Sequence, residues 1–235
     1  MEIKEAIILA GGLGTRLKSV LPDLPKCMAP VNGKPFLSYI IDYYLQQGTE
    51  RFIFSLGYKH AVISEWVKKQ YPSLQVEFVI ENEPLGTGGA IQYAVEKAKG
   101  KDILILNGDT FFEVTLQALS DYHKRSGSAC TLSLKPMKNF ERYGVVEMEE
   151  DGRIKSFKEK KYYTEGLVNG GVYVLNTGRF RQQRRPAKFS FEKDYLELSF
   201  SSMPMYGFVQ DGYFIDIGIP EDFERAQTEM QRIRK

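Results

Sequence analysis

Arg16 and Lys26 are two fixed cations on one glycine-rich loop, Ala10-Gly11-Gly12-Leu13-Gly14-Thr15-Arg16-Leu17 running on to Leu24-Pro25-Lys26. The loop follows the apolar run Ala6-Ile7-Ile8-Leu9, which reads as a buried strand. A strand that empties into glycines leaves backbone N–H groups without partners, and small residues let phosphate oxygens approach them closely. The forked guanidinium of Arg16 and the ammonium of Lys26 add permanent positive charge. Together they suit a polyphosphate better than a single phosphate. A tight strand connection would use the same glycines, so the loop alone does not decide. A dinucleotide fingerprint fits poorly, because its third glycine would fall on Leu17. No Gly-x-x-x-x-Gly-Lys-Ser/Thr string occurs, so the P-loop is absent.

Carboxylates fall at two further strand ends. Asn107-Gly108-Asp109 follows Ile103–Leu106, and Asp216 closes Tyr213–Ile217. Two such carboxylates could hold Mg²⁺, which takes one or two carboxylates, waters and phosphate oxygens. As a turn residue or cap, either aspartate would be ordinary. Pro84-Leu85-Gly86-Thr87-Gly88-Gly89-Ala90 opens a helix with three glycines, each costing about 1 kcal/mol in a helix interior. That cost is offset if a flat base lies against bare backbone. Phe157-Lys158-Glu159-Lys160 and Asn169-Gly170-Gly171 could hold sugar hydroxyls and a phosphate, although a Lys/Glu run is more often a solvated face. The chain has only two histidines, His60 and His123, and both read as surface residues of amphipathic helices. Histidine-based nucleophilic schemes therefore lose support. Phosphoryl transfer to a phosphate nucleophile needs no protein base, since a phosphomonoester with a second pKa of about 6 is already ionised near neutrality.

The elements that must carry these groups alternate in the first half. Strands are expected at 6–9, 51–56, 76–80 and 103–106, with helices at 35–47, 61–71 and 88–99. This alternation predicts an α/β fold, a Rossmann-like mixed, mainly parallel sheet flanked by helices. Ligands of such sheets sit beyond the carboxyl ends of the strands, where the polar residues above fall. The second half reads as a helix at 115–125, a strand at 129–134 and a hairpin of 145–148 with 153–157 about Glu150-Asp151-Gly152. Next come a strand at 171–175, a helix at 189–200, strands at 205–209 and 213–217 about Gln210-Asp211-Gly212, and a closing helix at 220–233. Its strands are expected to join the sheet antiparallel.

One domain is expected from 235 residues with no linker, repeat or low-complexity tract. A net charge of +2 is too small to predict nucleic acid or an anionic membrane as partner. Cys27 and Cys130 show no metal or redox spacing, which fits a reduced, cytoplasmic setting without a disulfide. Five apolar residues after Glu5 are too few for a signal peptide or membrane span. The basic stretch Arg179, Arg181, Arg184, Arg185 and Lys188 reads as a solvated loop or one that recruits anionic substrate.

Taken together, the markers resemble the sugar-1-phosphate nucleotidyltransferase family of glycosyltransferase-A-like folds. They are Gly11-Gly12-Leu13-Gly14-Thr15-Arg16-Leu17, Pro25-Lys26, Leu85-Gly86-Thr87-Gly88-Gly89, Asn107-Gly108-Asp109, Glu159-Lys160, Asn169-Gly170-Gly171 and Asp216. The resemblance runs from Ala6 to about Glu224. It implies an Mg²⁺-dependent enzyme whose partners are a nucleoside triphosphate and a sugar 1-phosphate. Residues 1–110 would form the nucleotide-binding half and 111–235 the sugar-phosphate-binding half. Gly11, Gly12, Gly14, Thr15 and Arg16 would wrap the triphosphate, while Lys26 steadies the α-phosphate and departing pyrophosphate. Gly86, Thr87 and Gly88 would meet the base; Leu9, Ala10, Asn107 and Gly108 would complete the nucleotide site. Asp109 and Asp216 would bind Mg²⁺. Gly144, Glu159, Asn169 and Gly170 would hold the sugar, and Lys160 its phosphate. Arg16, Lys26 and Asp109 would carry catalysis.

Within the family, Asp23-Leu24-Pro25-Lys26, Tyr143-Gly144-Val145-Val146 and Phe189-Ser190-Phe191-Glu192-Lys193-Asp194 look closest to the short guanylyltransferases for D-glycero-α-D-manno-heptose 1-phosphate. Mannose-1-phosphate guanylyltransferases and glucose-1-phosphate uridylyl- or thymidylyltransferases are the alternatives. A nucleotide-sugar sensor without chemistry is a further one, disfavoured by the intact cation and carboxylate set. Members often carry proline or a small residue where this chain has Cys27. No length remains for a left-handed β-helix, so acetyltransferase activity is not expected. Aromatic residues scattered through the second half could form a homo-oligomer interface.

Overall fold

The computed structural model describes residues 2–12, 23–183 and 185–234. Glu5–Leu9 forms β1, an apolar run buried on both faces as a central parallel strand must be. A two-strand ribbon, β2 (Pro30–Val31) with β3 (Lys34–Pro35), leads into helix α1 (Phe36–Gln46), which ends where Gly48 at φ 92° donates to Leu45 O. Then β4 (Arg51–Leu56), α2 (His60–Gln70), β5 (Gln75–Ile80), α3 (Gly86–Val95) and β6 (Asp102–Asn107) alternate as expected. Short β7 (Thr110–Phe112), α4 (Leu116–Arg125), long β8 (Cys130–Phe140) and the hairpin β9 (Val145–Met148) with β10 (Ile154–Lys158) follow. The chain closes with β11 (Tyr163–Asn176), α5 (Thr177–Gln182), a π-helical turn (Phe191–Leu196) running into α6 (Glu197–Ser199), β12 (Met205–Val209), β13 (Phe214–Asp216) and α7 (Pro220–Glu229).

The seven-stranded sheet has the order β12-β8-β11-β6-β1-β4-β5. β6, β1, β4 and β5 run parallel, β11 lies antiparallel to both β6 and β8, and β12 is parallel to β8. Of the second-half strands in this sheet, β11 alone is reversed, fewer than the sequence suggested. Alternation along each strand feeds two cores. Ile8, Phe54, Leu104 and Leu106 pack on one face with α1 and α2; Ile7, Ile53, Ile103 and Ile105 pack on the other with α3. Beneath the site, Glu5 accepts bonds from the amides of Lys99 and Gly100 and pairs with Arg51, tying β1 to β4 and to the turn before β6.

Three expectations need correcting, and one helix was not foreseen. Strands β12 and β13 do not form a hairpin about 210–212: β12 joins the large sheet while β13 pairs antiparallel with β7. β8 and β11 run well past 129–134 and 171–175, because 135–140 and 163–169 pair as a ribbon in which buried Phe140 and Val168 stand among half-buried and exposed residues, with no continuous apolar run. The expected helix at 189–200 is a π turn and a short α-helix, the wider turn letting Phe191, Tyr195 and Leu196 all face the core. Helix α5 was not anticipated; Asn176 caps it by accepting from Arg179 N at 3.0 Å.

Candidate functional site

A cleft of about 890 Å³ opens where β1, β4, β5 and β6 end, and Leu9, Ala10, Gly11 and Gly12 form its floor. Asn107, Gly108 and Asp109 line it from the end of β6, with Gly86 and Thr87 from the start of α3. Gly14, Thr15 and Arg16 lie outside the described residues. Lys26 reaches the cleft from a 3₁₀ turn, Lys26–Met28, set by Pro25.

Lys26 Nζ lies 2.5 Å from Asp109 Oδ2 and 3.4 Å from Asp216 Oδ1. The backbone makes that meeting: Asp216 pairs with Thr110 across β13 and β7, and Ile217 N donates to Asp109 O at 3.0 Å. Burial and the charge of Asp109 push the Asp216 carboxyl above the usual carboxylate range, against the pull of Lys26 and Arg142. The same charges reach the neighbours: burial and Asp109 push the Cys27 thiol up to about 12, and burial and Asp216 push Tyr143 to about 12. No group of three or more His, Cys, Asp or Glu side chains able to hold a metal occurs among the described residues. Two hard carboxylates already clasping a cation do fit a small divalent ion that takes its remaining ligands from water and phosphate.

Sequence reasoning missed the cleft's other wall. Ser55, Gly57, Tyr58 and His60 follow or end β4, and Glu81 follows β5. Glu81 accepts from Ser55 Oγ at 3.2 Å and from Leu85 N at 3.1 Å, which fixes its carboxylate against the cleft. Its position just after a strand of the parallel sheet was the available signal. His60, expected on a helix surface, lines the cleft from the start of α2. His123, expected likewise, is buried: Thr131 Oγ1 lies 2.8 Å from its Nδ1 and Asp102 Oδ1 is 3.5 Å from its Nε2.

Gly88, expected to meet the base, does not line the cleft and packs instead on Phe189. Its N–H donates to Phe189 O at 3.0 Å, and a Cβ there would overlap the Phe189 ring. Gly86 sits at φ 72° with the same carbonyl 2.5 Å from where its Cβ would stand. These glycines admit the 187–189 segment against α3, whereas Gly86 and Thr87 face the cleft.

None of Gly144, Glu159, Lys160, Asn169 and Gly170 lines the cleft. Asn169 and Gly170 nevertheless lie at its edge. Antiparallel β11 brings them past the end of β6, so a Cβ on Gly171 would stand 2.7 Å from Asn107 Nδ2. Asn169 is held by donating to Tyr173 Oη at 2.8 Å and accepting from Gly171 N at 3.1 Å. Gly144 packs against Lys158 across the β9–β10 hairpin. The Glu159 side chain is 84% exposed and pairs with Lys193 at 3.1 Å; Lys160 is exposed beside it.

The basic stretch is exposed at Arg179, Arg181 and Lys188, but three of its arginines are tied to the fold. Arg179 donates to Gly127 O at 2.7 Å, Arg181 to the Val95 and Ala98 carbonyls, and Arg185 stacks 4.4 Å from the Tyr195 ring and 4.5 Å from that of Phe180. Arg184 is outside the described residues. No helix among the described residues is long and apolar enough to cross a membrane.

Residues 5–233 match the family described as Nucleotidyl transferase. D-glycero-alpha-D-manno-heptose 1-phosphate guanylyltransferase of Aneurinibacillus thermoaerophilus is 50% identical over 227 residues, covering 97% of this chain and 98% of that protein. The enzyme of the same name from Campylobacter jejuni is 44% identical over 219 residues, covering 93% and 96%. Among solved structures, HddC from Yersinia pseudotuberculosis complexed with GMP-PN superposes with a TM-score of 0.86 at 38% identity, covering 97% of this chain and all of that one.

Proposed function

Since the chain belongs to the nucleotidyl transferase family, we propose that it transfers a guanylyl group from GTP to D-glycero-α-D-manno-heptose 1-phosphate, giving GDP-heptose and pyrophosphate. One observation carries the chemistry: a lysine and two aspartates from distant parts of the chain meet beside the cleft that Gly11 and Gly12 line. The choice of sugar follows the activity named for relatives at 50% and 44% identity.

The nucleotide's phosphates lie on the amides after β1, from Gly11 and Gly12 onward into Gly14, Thr15 and Arg16. Lys26 turns its ammonium to the α-phosphate and the departing pyrophosphate. Asp109 and Asp216 would hold Mg²⁺, which would supply positive charge to the phosphate oxygens. The sugar phosphate, already ionised, attacks the α-phosphorus in line as the bond to pyrophosphate breaks, so the protein supplies alignment and charge rather than a base. Asn169 and Gly170, with Gly144, Glu159 and Lys160 on the adjoining hairpin edge, form the sugar-phosphate side. Residues 1–110 serve the nucleotide and 111–235 the sugar phosphate, within one folded unit, and GTP as substrate suits a cytoplasmic enzyme.

Glu81 favours guanine among the bases. A carboxylate accepts from the adjacent N1–H and 2-amino group of guanine, whereas the carbonyls flanking N3–H of uracil or thymine would face its negative charge. Pyrophosphate release is the test, with each of four nucleoside triphosphates paired with mannose, glucose and heptose 1-phosphates. GTP with the heptose phosphate should give the highest kcat/KM. Background rates with every pair, while GTP still binds, would replace the enzyme with a nucleotide-binding sensor.

A further inference from the structure

Lys26 holds the place that a cation bound by Asp109 and Asp216 would need. Its Nζ is 2.5 Å from one carboxylate and 3.4 Å from the other, and its side chain is only 12% exposed. Two adjacent carboxylates without a counter-ion repel each other, so in the nucleotide-free protein the ammonium balances them. Arg142 cannot take over this role, because its guanidinium is committed to buried Asp222. Nor can an ammonium and a divalent ion share the position.

On the reading of the site given above, we infer that Lys26 is a removable latch. It closes the Asp109–Asp216 pair to a divalent cation until a nucleotide's phosphates draw its ammonium away. Metal then loads with or after the nucleotide, not before it. The backbone suits a motion confined to one side chain. Met28 N donates to Pro25 O at 2.8 Å and Ala29 N to Lys26 O at 3.0 Å, which pins the turn while the four-carbon stem rotates. Gly218 leaves the latch its room: a Cβ there would stand 3.2 Å from Lys26 Nζ and 2.9 Å from Asp216 Oδ1.

The test is Mn²⁺ binding to the full chain without nucleotide, followed by electron paramagnetic resonance. Lys26→Gln should tighten Mn²⁺ binding at least about tenfold relative to the unaltered protein. Arg142→Gln removes a cation of the same sign near Asp216 and should change it less than about threefold, because that charge does not bridge the pair. No gain in Lys26→Gln, or an equal gain in both variants, overturns the latch. A second measurement needs no variant: GTP without metal should shift the ε-methylene NMR signal of Lys26, and a signal that moves only once metal is added overturns the latch equally. If Mn²⁺ fails to bind even with GTP present, the assignment of Asp109 and Asp216 as metal ligands falls with it, whereas tight Mn²⁺–GTP binding with no effect of Lys26→Gln sinks the latch alone.

Discussion

At the scale of single residues, what each side chain can do is set by the company it keeps. Glu81 is held by Ser55 and Leu85, so on the proposed reading its carboxylate would meet a base without first being ordered. Replacing Glu81 with Gln keeps size and a carbonyl acceptor but removes the charge and one acceptor. The expected loss is a charge-assisted bond, about 1.5–3 kcal/mol, or roughly ten- to a hundredfold in KM for GTP. Steady-state kinetics should show kcat nearly unchanged and the preference for GTP over UTP narrowed. A fall in kcat at constant KM would remove Glu81 from base recognition.

At the scale of elements, the clearest coupling joins the start of α3 to the segment before the π turn. Gly88→Ala drives a methyl group into the Phe189 ring and should cost about 1–3 kcal/mol. Phe189→Ala alone also destabilises by emptying a buried site, but the double variant should be more stable than the sum of the two losses predicts. Denaturant unfolding of the four proteins measures that difference, and strict additivity would contradict the contact. The same contact shows what the sequence could and could not reveal. Three glycines at a helix start signalled that something approaches the backbone closely; nothing local said that it was Phe189 rather than a ligand. Strands with continuous apolar runs, such as Ile103–Leu106, were legible because burial on both faces leaves a compositional mark. The outer parts of β8 and β11 left none, since their mixed, largely half-buried residues hold few buried apolar side chains and the pairing rests on backbone hydrogen bonds that any residue can make. Lys26, Asp109 and Asp216 were each legible as candidates, but their mutual distances arise from pairing between β7 and β13, remote in sequence. Glu81 escaped because a lone glutamate after a strand has no motif, and Arg185 because its partners, Phe180 and Tyr195, flank it in the chain without any periodic pattern.

At the scale of the whole molecule, both halves share one sheet. β11, from the second half, bonds directly to β6, from the first, so the sheet carries no structural division between them. At the edge of that seam Asp102 accepts from Asn176 at 2.6 Å and faces His123. Burial works to raise its carboxyl, but the bonds from His123 and Asn176 outweigh it and hold it below the usual range. A depressed folded-state value means stability that is present above the unfolded value, about 3.9, and lost as pH falls through the folded one. Asp102→Asn should therefore cost about 1–2 kcal/mol at pH 7, and the gap should shrink below about pH 4. Urea unfolding at the two pH values tests this; a gap that widens in acid would reverse the assignment.

The strand β6, which delivers Asn107 and Asp109 to the cleft, stands fourth among seven, with three strands on either side. Its amides are shielded by neighbours on both flanks and open only when the ladder as a whole gives way. Warming the protein thus spares the placement of Asp109 until the fold itself is lost. Turnover remaining after a heat pulse counts intact molecules instead of weakened ones.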